Sequence, residues 1–198
     1  MKKEVPELVK SKIKELNTKN VKCTRIDNET IEIEISNHAV YQYLRHRSGR
    51  GRRIYDPLSD YKKKLKEVLL YSLNEDDAIL IKKGYECPII FDIKVYNNPY
   101  KSTESQKRLL YKLTDKIKFT KTPDIDNYQK TVMDVMNKNF WNDDAQIIEI
   151  HAYKFYSSEF KDKTIIKIKY LLDKNPNIAN GSLDKAEKIF LWKRFKSN

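Results

Sequence analysis

Two short clusters of carboxylate side chains are the strongest candidates for chemistry in this sequence. The first lies in the segment PDIDNYQK, where Asp124 and Asp126 are two residues apart and Lys130 follows one helical turn later. Residues two apart in an extended stretch project from the same side, and residues four apart share a helix face. Carboxylate oxygens suit magnesium, and a neighbouring lysine can stabilise charge on a phosphate. This spacing is compatible with a metal site that acts on phosphates.

The second cluster, Asp143 and Asp144, follows a predicted helix and turn and directly precedes an apolar strand. Spacing does not determine whether the two clusters meet in the fold. Three converging carboxylates would repel one another, so convergence would imply a bound cation. An alternative stays open for each cluster, because an Asp at a helix start is usually a cap and Asn-Asp-Asp is typical of turns.

Composition narrows the class of protein that carries these clusters. The chain has 198 residues, which suits one domain, and its 40 Lys and Arg against 28 Asp and Glu give a net charge of +12. The positive charge favours a polyanionic partner, with nucleic acid first and an anionic membrane surface second. The sequence shows neither a membrane-span pattern nor a secretory signal, so we expect a soluble cytoplasmic protein. Two cysteines, Cys23 and Cys87, are expected to be free thiols, and the histidines are too scattered to predict a zinc site.

Periodicity predicts the elements that must position the acidic clusters. Helices are predicted at 6–17, 56–73, 102–118 and in the later part of 124–138, and strands at 21–26, 30–35, 88–96, 145–155 and 164–172. The first two strands should form a hairpin, and Ile89, Phe91, Ile93 and Val95 should share one face of the third. This mixture predicts an α+β fold in which helices pack on a single mixed sheet.

Two basic segments can be interpreted in more than one way. The first has five arginines around Gly49 and Gly51, namely Arg45, Arg47, Arg50, Arg52 and Arg53. It is either a solvated loop or a phosphate-binding loop whose neighbours Tyr41, Tyr43 and Tyr55 could stack on unpaired bases. The second is the predicted basic helix at 107–118, in which the leucines should pack and the lysines should face solvent or DNA.

The acidic clusters together resemble the signature of the RusA family of Holliday-junction resolvases, which are endodeoxyribonucleases of phages and prophages. The matching pattern is D-x-D-N-x-x-K, a further Asp, an aromatic pair, D-D and a Gln. Here these residues are Asp124, Asp126, Asn127, Lys130, Asp134, Phe140, Trp141, Asp143, Asp144 and Gln146. Upstream, SNHAVYQYLRHRSGRGRRIYDPLSDYKKKL is similar to the family's N-terminal segment. The resemblance covers residues 30–70 and 88–171.

The resemblance implies a magnesium-dependent endonuclease that resolves four-way DNA junctions by paired nicks as a homodimer, with manganese able to replace magnesium. It makes Asp124, Asp126 and Asp144 the metal-binding catalytic acids, with Asp143 as an additional metal-ligand candidate, and Lys130 the essential lysine. It also places Arg45, Arg47, Arg50, Arg52, Arg53 and Asn127 at the DNA. The rival function is a branched-DNA-binding module of the same fold without nuclease activity, and a nuclease for flaps or other branched DNA is a third.

This chain departs from the family pattern at several places. Met133 is the candidate for the residue that wedges into the junction centre, because it stands where a well-known member has a Phe in that role. The loop before Phe140 is one residue shorter than in that member. We expect an endonuclease domain at 1–172, with an N-terminal extension at 1–25 and an insertion at 98–121. A basic tail follows at 173–198, with a helix predicted at 183–195.

Overall fold

A five-stranded mixed sheet is the centre of the computed structural model, which describes residues 7–42, 44, 47–48, 54–99 and 104–174. The described strands are β1 (Val21–Arg25), β2 (Thr30–Ser36), β3 (Arg47–Ser48), β4 (Ile54–Tyr55), β5 (Ile89–Asn97), β6 (Ile147–Tyr156) and β7 (Lys163–Tyr170). The sheet has the order β1-β2-β7-β5-β6, and β3 pairs with β4 in a separate ribbon. β5 and β6 run parallel, whereas the other neighbours in the sheet are antiparallel.

Alternating apolar residues give the sheet one buried face. Ile31, Ile33 and Ile35 of β2 are fully buried. The apolar residues predicted to share a face of β5 are also buried, namely Ile89, Phe91, Ile93 and Val95. Because successive strand residues point to opposite faces, this alternation places one stripe of each strand in the core. The predicted α+β fold with a single mixed sheet is confirmed.

Five helices are described, and four of them contribute to the core on the buried face of the sheet. They are α1 (Glu7–Glu15), α2 (Ser59–Tyr71), α3 (Glu75–Gly84), α4 (Gln106–Leu113) and α5 (Ile125–Met136). The core cluster joins residues of α1, α2, α3 and α5 to the sheet, and among the described residues it includes none from α4. Helix α4 therefore lies at the margin of the fold.

Helix α3 is missing from the sequence-based prediction, and α4 is shorter than predicted. A capping box starts α3, with the Asn74 side chain accepting from the Asp77 amide and the Asp77 carboxylate accepting from the Asn74 amide. The predicted helix at 102–118 is observed over Gln106–Leu113. Its C-terminal end is earlier than predicted because Asp115, just beyond the helix, adopts a positive φ of 59°. A left-handed residue at this position is a common helix terminator.

Several sequence-based expectations fall on residues that the structure does not describe. Arg45, Arg50, Arg52, Arg53 and the tail beyond residue 174 lie outside the described residues, and the side chain of Arg47 is also outside. Cys23 and Cys87 are free thiols, as expected. None of the described helices has the length and apolar character needed to cross a membrane.

Gly84, the last residue of α3, lies against the ring of Tyr170 at the end of β7. A Cβ added at Gly84 would overlap that fully buried ring. Replacing a helical glycine by alanine ordinarily stabilises a protein by about 0.5–1 kcal/mol. We expect Gly84→Ala to lower the free energy of unfolding by about 1–3 kcal/mol instead, because overpacking outweighs the backbone gain.

Urea unfolding followed by circular dichroism measures this change. Lys63→Ala on the exposed side of α2 is the control, and it should change the free energy of unfolding by less than about 0.5 kcal/mol. Unchanged or increased stability of Gly84→Ala would contradict the close packing of α3 against β7.

Candidate active site

The first acidic cluster lies at the start of α5, with both carboxylates exposed. Asp124 occupies the N-cap position, and its carbonyl oxygen accepts from the Asn127 amide at 3.2 Å. Its carboxylate makes no capping hydrogen bond to the helix. The alternative in which Asp124 is only a side-chain cap is therefore not what the geometry shows.

Asp126 and Lys130 form an exposed pair one turn apart on α5. The Lys130 Nζ lies 3.0 Å from the Asp126 Oδ2, and both side chains are 56% exposed. The hydrogen bond from Lys130 lowers the pKa of Asp126 below its ordinary value. The pair thus offers a carboxylate oxygen and an ammonium group side by side to a ligand arriving from solvent.

A lysine from β6 fixes the backbone that leads into this cluster. The Lys154 Nζ donates to the carbonyl oxygen of Lys121 at 2.8 Å and to that of Pro123 at 2.9 Å. Both carbonyls belong to the approach to Asp124, and the Thr122–Pro123 peptide bond between them is cis. Lys154 was not predicted as a functional residue, since a lysine on an edge strand gives no signal of what it binds.

The second acidic cluster forms a tight turn before β6. The Asp143 carboxylate accepts from the Ala145 amide at 3.0 Å, while the Gln146 Oε1 accepts from the amides of Asn142 and Asp143 at 2.8 Å each. The backbone hydrogen bond from Ala145 is the main reason that the pKa of Asp143 is lowered. Turn chemistry therefore accounts for the position of Asp143.

Asp144 is oriented by the buried aromatic residue that precedes this turn. The Trp141 Nε1 donates to the Asp144 Oδ1 at 2.7 Å, and the Trp141 ring packs edge-on against Phe91 with centroids 5.8 Å apart. The Gln146 amide also donates to the carbonyls of Tyr85 and Cys87, just before β5. These bonds fasten the turn to the sheet beside the start of β5.

The two clusters lie at opposite ends of α5. At its start, the Tyr128 hydroxyl donates to the side chain of Asn97 at 3.2 Å, at the end of β5. At its other end, the turn containing Asp144 is fastened beside Cys87, just before β5 begins. The twelve residues of α5 span about 18 Å at roughly 1.5 Å each. A single chain therefore does not bring Asp144 to Asp124 and Asp126.

Consistent with this separation, the described part of the chain holds no group of three or more His, Cys, Asp or Glu side chains placed to bind one metal ion. The predicted ligand set is thus split into a pair, Asp124 and Asp126, and a distant carboxylate, Asp144. Its assignment as a catalytic set stays a prediction.

The remaining predicted residues lie along α5 between the two clusters. Asn127 is half-buried in the first turn, and Met133 is half-buried against the core. The Gln129 amide donates to the Met133 sulfur at 3.4 Å. Asp134 pairs with Lys62 of α2 at 2.7 Å, so this motif residue links two helices. The roles of Asn127 in DNA contact and of Met133 as a wedge stay predictions.

The Asp126–Lys130 pair predicts a change in titration when the lysine is replaced. We expect Lys130→Met to raise the pKa of Asp126, because the substitution removes the hydrogen bond and the positive charge that favour the ionised carboxylate. Carbon-detected NMR titration of the side-chain carboxyl group measures it.

Lys138→Met is the matched control for this titration. Lys138 lies 3.5 Å from Asp143 at the other end of α5, with comparable exposure. The control should leave the pKa of Asp126 unchanged. An equal shift in both variants would show that general charge, and not the Lys130 contact, sets the titration of Asp126.

Comparison with known proteins agrees with the pattern of these two clusters. The profile of the RusA endodeoxyribonuclease family matches residues 40–169, which include both clusters. The chain is also similar to the uncharacterized protein YqaN of Bacillus subtilis (strain 168), with 35% identity over 81 residues, or 40% of this chain. The chain spans 57% of the length of that relative. Since the family profile covers well over half of its residues, the chain belongs to the RusA endodeoxyribonuclease family.

Proposed function

We propose that this protein is a magnesium-dependent endonuclease that cuts four-way DNA junctions by paired nicks and acts as a homodimer. The observation that carries the proposal is the family match across residues 40–169. This match includes both the exposed Asp124–Asp126 pair and the turn containing Asp144. The net charge of +12 supports a polyanionic substrate. Phage or prophage origin, implied by the resemblance, stays a prediction.

The donor atoms of the first cluster fit magnesium. Asp124 and Asp126 present exposed carboxylates, and the Asp124 carboxylate is not used as a helix cap. Magnesium commonly binds one or two carboxylates and keeps its remaining positions for water and substrate phosphate. Bound magnesium supplies polarisation of the scissile phosphate and a lower pKa for the attacking water. Manganese, which also accepts oxygen ligands, should substitute for it.

The protein's own groups have separate roles in this proposal. Lys130 pairs with the Asp126 carboxylate, and its ammonium group is close enough to the cluster to contact the phosphate whose charge increases in the transition state. Lys154 keeps the carbonyls of Lys121 and Pro123 in place, which fixes the entry into the cluster. Trp141 orients the Asp144 carboxylate.

A homodimer would resolve the separation of the two clusters. A two-fold axis perpendicular to α5 and beside its middle would set two copies of this helix antiparallel, so the end near Asp144 in one subunit would meet the start of α5 in the other. One such axis completes two equivalent sites at once, because a two-fold interface is self-complementary. Two symmetric sites are also what paired nicks require. Met133, in the second half of α5, would then lie near the axis, where a wedge could reach the junction centre.

Junction selectivity in this proposal comes mainly from branched shape, while phosphate contacts supply affinity and salt dependence. The arginines predicted to contact DNA are Arg45, Arg47, Arg50, Arg52 and Arg53, on the segment that includes the β3–β4 ribbon. Asn127, beside Asp126 on α5, is a further candidate for DNA contact.

Two observations favour the rival function, a branched-DNA-binding module without nuclease activity. The Asp143 carboxylate already accepts a hydrogen bond from the Ala145 amide within its turn. Within one chain, Asp144 lies apart from the other acids, and the described residues hold no group of three metal-ligating side chains. The two functions differ in whether DNA is cut.

The first experiment tests cutting and its dependence on the acidic cluster. Purified protein is mixed with a labelled four-way junction and magnesium, and nicks on opposing strands are mapped. We expect paired nicks from the wild type and a loss of at least about a hundredfold in rate for Asp126→Asn, since the negative charge that binds the cation is removed. Asp60→Asn, an exposed change on α2, is the control and should cut normally.

Binding without nicks by the wild type would favour the rival function. Undiminished cutting by Asp126→Asn would refute the site assignment. A panel of flaps, three-way junctions and duplexes, measured in parallel, separates a junction resolvase from a nuclease for other branched DNA.

The second experiment tests whether two subunits share each site. Asp126→Asn and Asp144→Asn variants are unfolded together, refolded and assayed as a mixture. In a mixed dimer one shared site loses both acids and the other keeps both, so we expect nicking of single strands to return to the mixture although each variant alone is inactive. If each site lies within one chain, no active site can form, and the mixture should stay inactive.

A further inference from the structure

We propose that residues 104–121, the basic connection between β5 and α5, form a second DNA-contacting surface that binds the phosphate backbone of a duplex arm beside the Asp124–Asp126 cluster. The identity of the partner as DNA rests on the proposed function. Three features of the structure support the surface: its surplus of positive charge, one buried lysine and a series of aromatic contacts that leads to the acidic cluster.

The basic connection carries a surplus of positive charge after its internal pairs are formed. Its basic residues are Lys107, Arg108, Lys112, Lys116, Lys118 and Lys121, and its acidic residues are Glu104 and Asp115. Glu104 pairs with Lys112 and with Arg108, and Asp115 pairs with Lys118. The ammonium groups of Lys107, Lys116 and Lys121 remain in exposed side chains beyond those pairs.

One aromatic ring gathers two of these exposed charges. The Nζ atoms of Lys107 and Lys116 lie 5.9 Å and 5.6 Å from the centre of the Tyr111 ring. Such cation–π contacts limit the freedom of two otherwise flexible side chains. Two positive charges, one on α4 and one just after it, are therefore gathered at one place on the surface of the basic connection.

A buried lysine fastens this helix to the sheet. Lys112 is only 4% exposed and is the one residue of α4 that is buried. Its Nζ bonds to Glu104, donates to the Pro99 carbonyl at 3.3 Å and lies 4.7 Å from the centre of the Tyr156 ring. Lysine is almost never fully buried unless it is paired, so these contacts hold α4 at a defined place.

The same contacts continue to the first acidic cluster. Tyr156 of β6 packs edge-on against Phe119 with ring centres 5.0 Å apart, and the Lys154 Nζ lies 5.2 Å from the centre of the Phe119 ring. Lys154 also holds the carbonyls of Lys121 and Pro123. The basic surface is thus fixed relative to Asp124, three residues beyond Lys121.

Charge complementarity favours nucleic acid as the partner of this surface. Phosphates along a duplex arm attract clustered ammonium groups, and a cut placed at the acidic cluster needs the adjacent DNA to be held. A helix that binds a membrane surface exposes a broad apolar face. Among the large apolar side chains of α4, only Leu110 is strongly exposed, at 56%.

The test compares two triple variants that remove the same number of charges. Lys107→Ala/Lys116→Ala/Lys121→Ala removes the exposed charge of the basic connection. Lys14→Ala/Lys19→Ala/Lys22→Ala removes exposed lysines of α1, the turn after it and β1, at the opposite edge of the sheet. Binding to a labelled four-way junction is measured by fluorescence anisotropy in EDTA over a series of salt concentrations, so that no cutting occurs.

We expect the first variant to bind the junction about tenfold or more weakly at low salt. The slope of log affinity against log salt should become shallower by about 1–3, since each lost phosphate contact contributes roughly 0.9. The second variant should bind within about twofold of the wild type. Equal losses in both variants would overturn the proposal, because overall charge would then explain the binding. Binding to anionic lipid vesicles is measured in parallel. If the first variant lost binding to the vesicles and kept wild-type binding to DNA, the proposal would also be overturned.

A third variant, Lys112→Met, keeps the exposed lysines and removes only the buried ammonium group. If placement of the basic connection matters, this variant should lose affinity for the junction while its far-ultraviolet circular dichroism stays native. Wild-type affinity in Lys112→Met would refute the role of the buried lysine in placing the surface, and wild-type affinity in the first triple variant would refute the surface itself.

The outcomes separate this inference from the proposed nuclease. Junction binding that depends on the basic connection, in a protein that does not nick with magnesium, would refute the nuclease and keep the surface. Normal nicking and binding by the first triple variant would refute the surface and keep the nuclease.

Discussion

The packing of α5 against α2 and β6 is the constraint on which the arrangement of the candidate site depends. Tyr128, Val132, Val135 and Met136 are buried on one side of the helix, so α5 cannot slide or tilt without opening the core. Burying a large apolar side chain contributes about 1.5–3 kcal/mol, and several act together here. The helix is therefore a rigid spacer. The helix is about 18 Å long at 1.5 Å per residue, and the two acidic clusters lie beyond its opposite ends. In the proposed dimer, a second copy of the chain brings the two clusters together.

Different interactions fix the two ends of α5. At the start of α5, Lys154 bonds to two carbonyls and lies over Phe119, which combines a charge with an aromatic face. At the other end, Gln146 satisfies two amides and two carbonyls with one side chain, and the buried Trp141 directs its indole N–H at Asp144. Both ends thus use polar groups that are buried or half-buried and hydrogen-bonded. Such groups define position well because an unpaired polar atom in the interior is costly.

Much of the fold was predictable from the sequence, because local periodicity is sufficient to define isolated elements. The alternation of Ile31, Ile33 and Ile35 predicted β2, and the spacing of Leu65, Val68 and Leu69 predicted α2. Helix α3 was missed although Asn74 and Asp77 have the spacing of a capping box. The separation of the acidic clusters was not predictable, since it depends on strand order and on the direction of α5 across the sheet. Both are tertiary properties that spacing along the chain does not contain.

The basic connection shows most clearly where local pattern and tertiary context diverge. Its leucines were expected to pack and its lysines to face solvent, yet Leu110 is strongly exposed and Lys112 is the residue that α4 buries. Lys107 and Lys116 are exposed as expected, so the departure is confined to Leu110 and Lys112. The burial of Lys112 follows from what lies beneath the helix, since the carbonyl of Pro99, the carboxylate of Glu104 and the ring of Tyr156 form a polar and aromatic site that a leucine could not satisfy. A desolvated lysine is stable only when such partners are already in place. Replacing Lys112 would leave Glu104 without its main partner. The position of α4 on the sheet therefore depends on this single side chain.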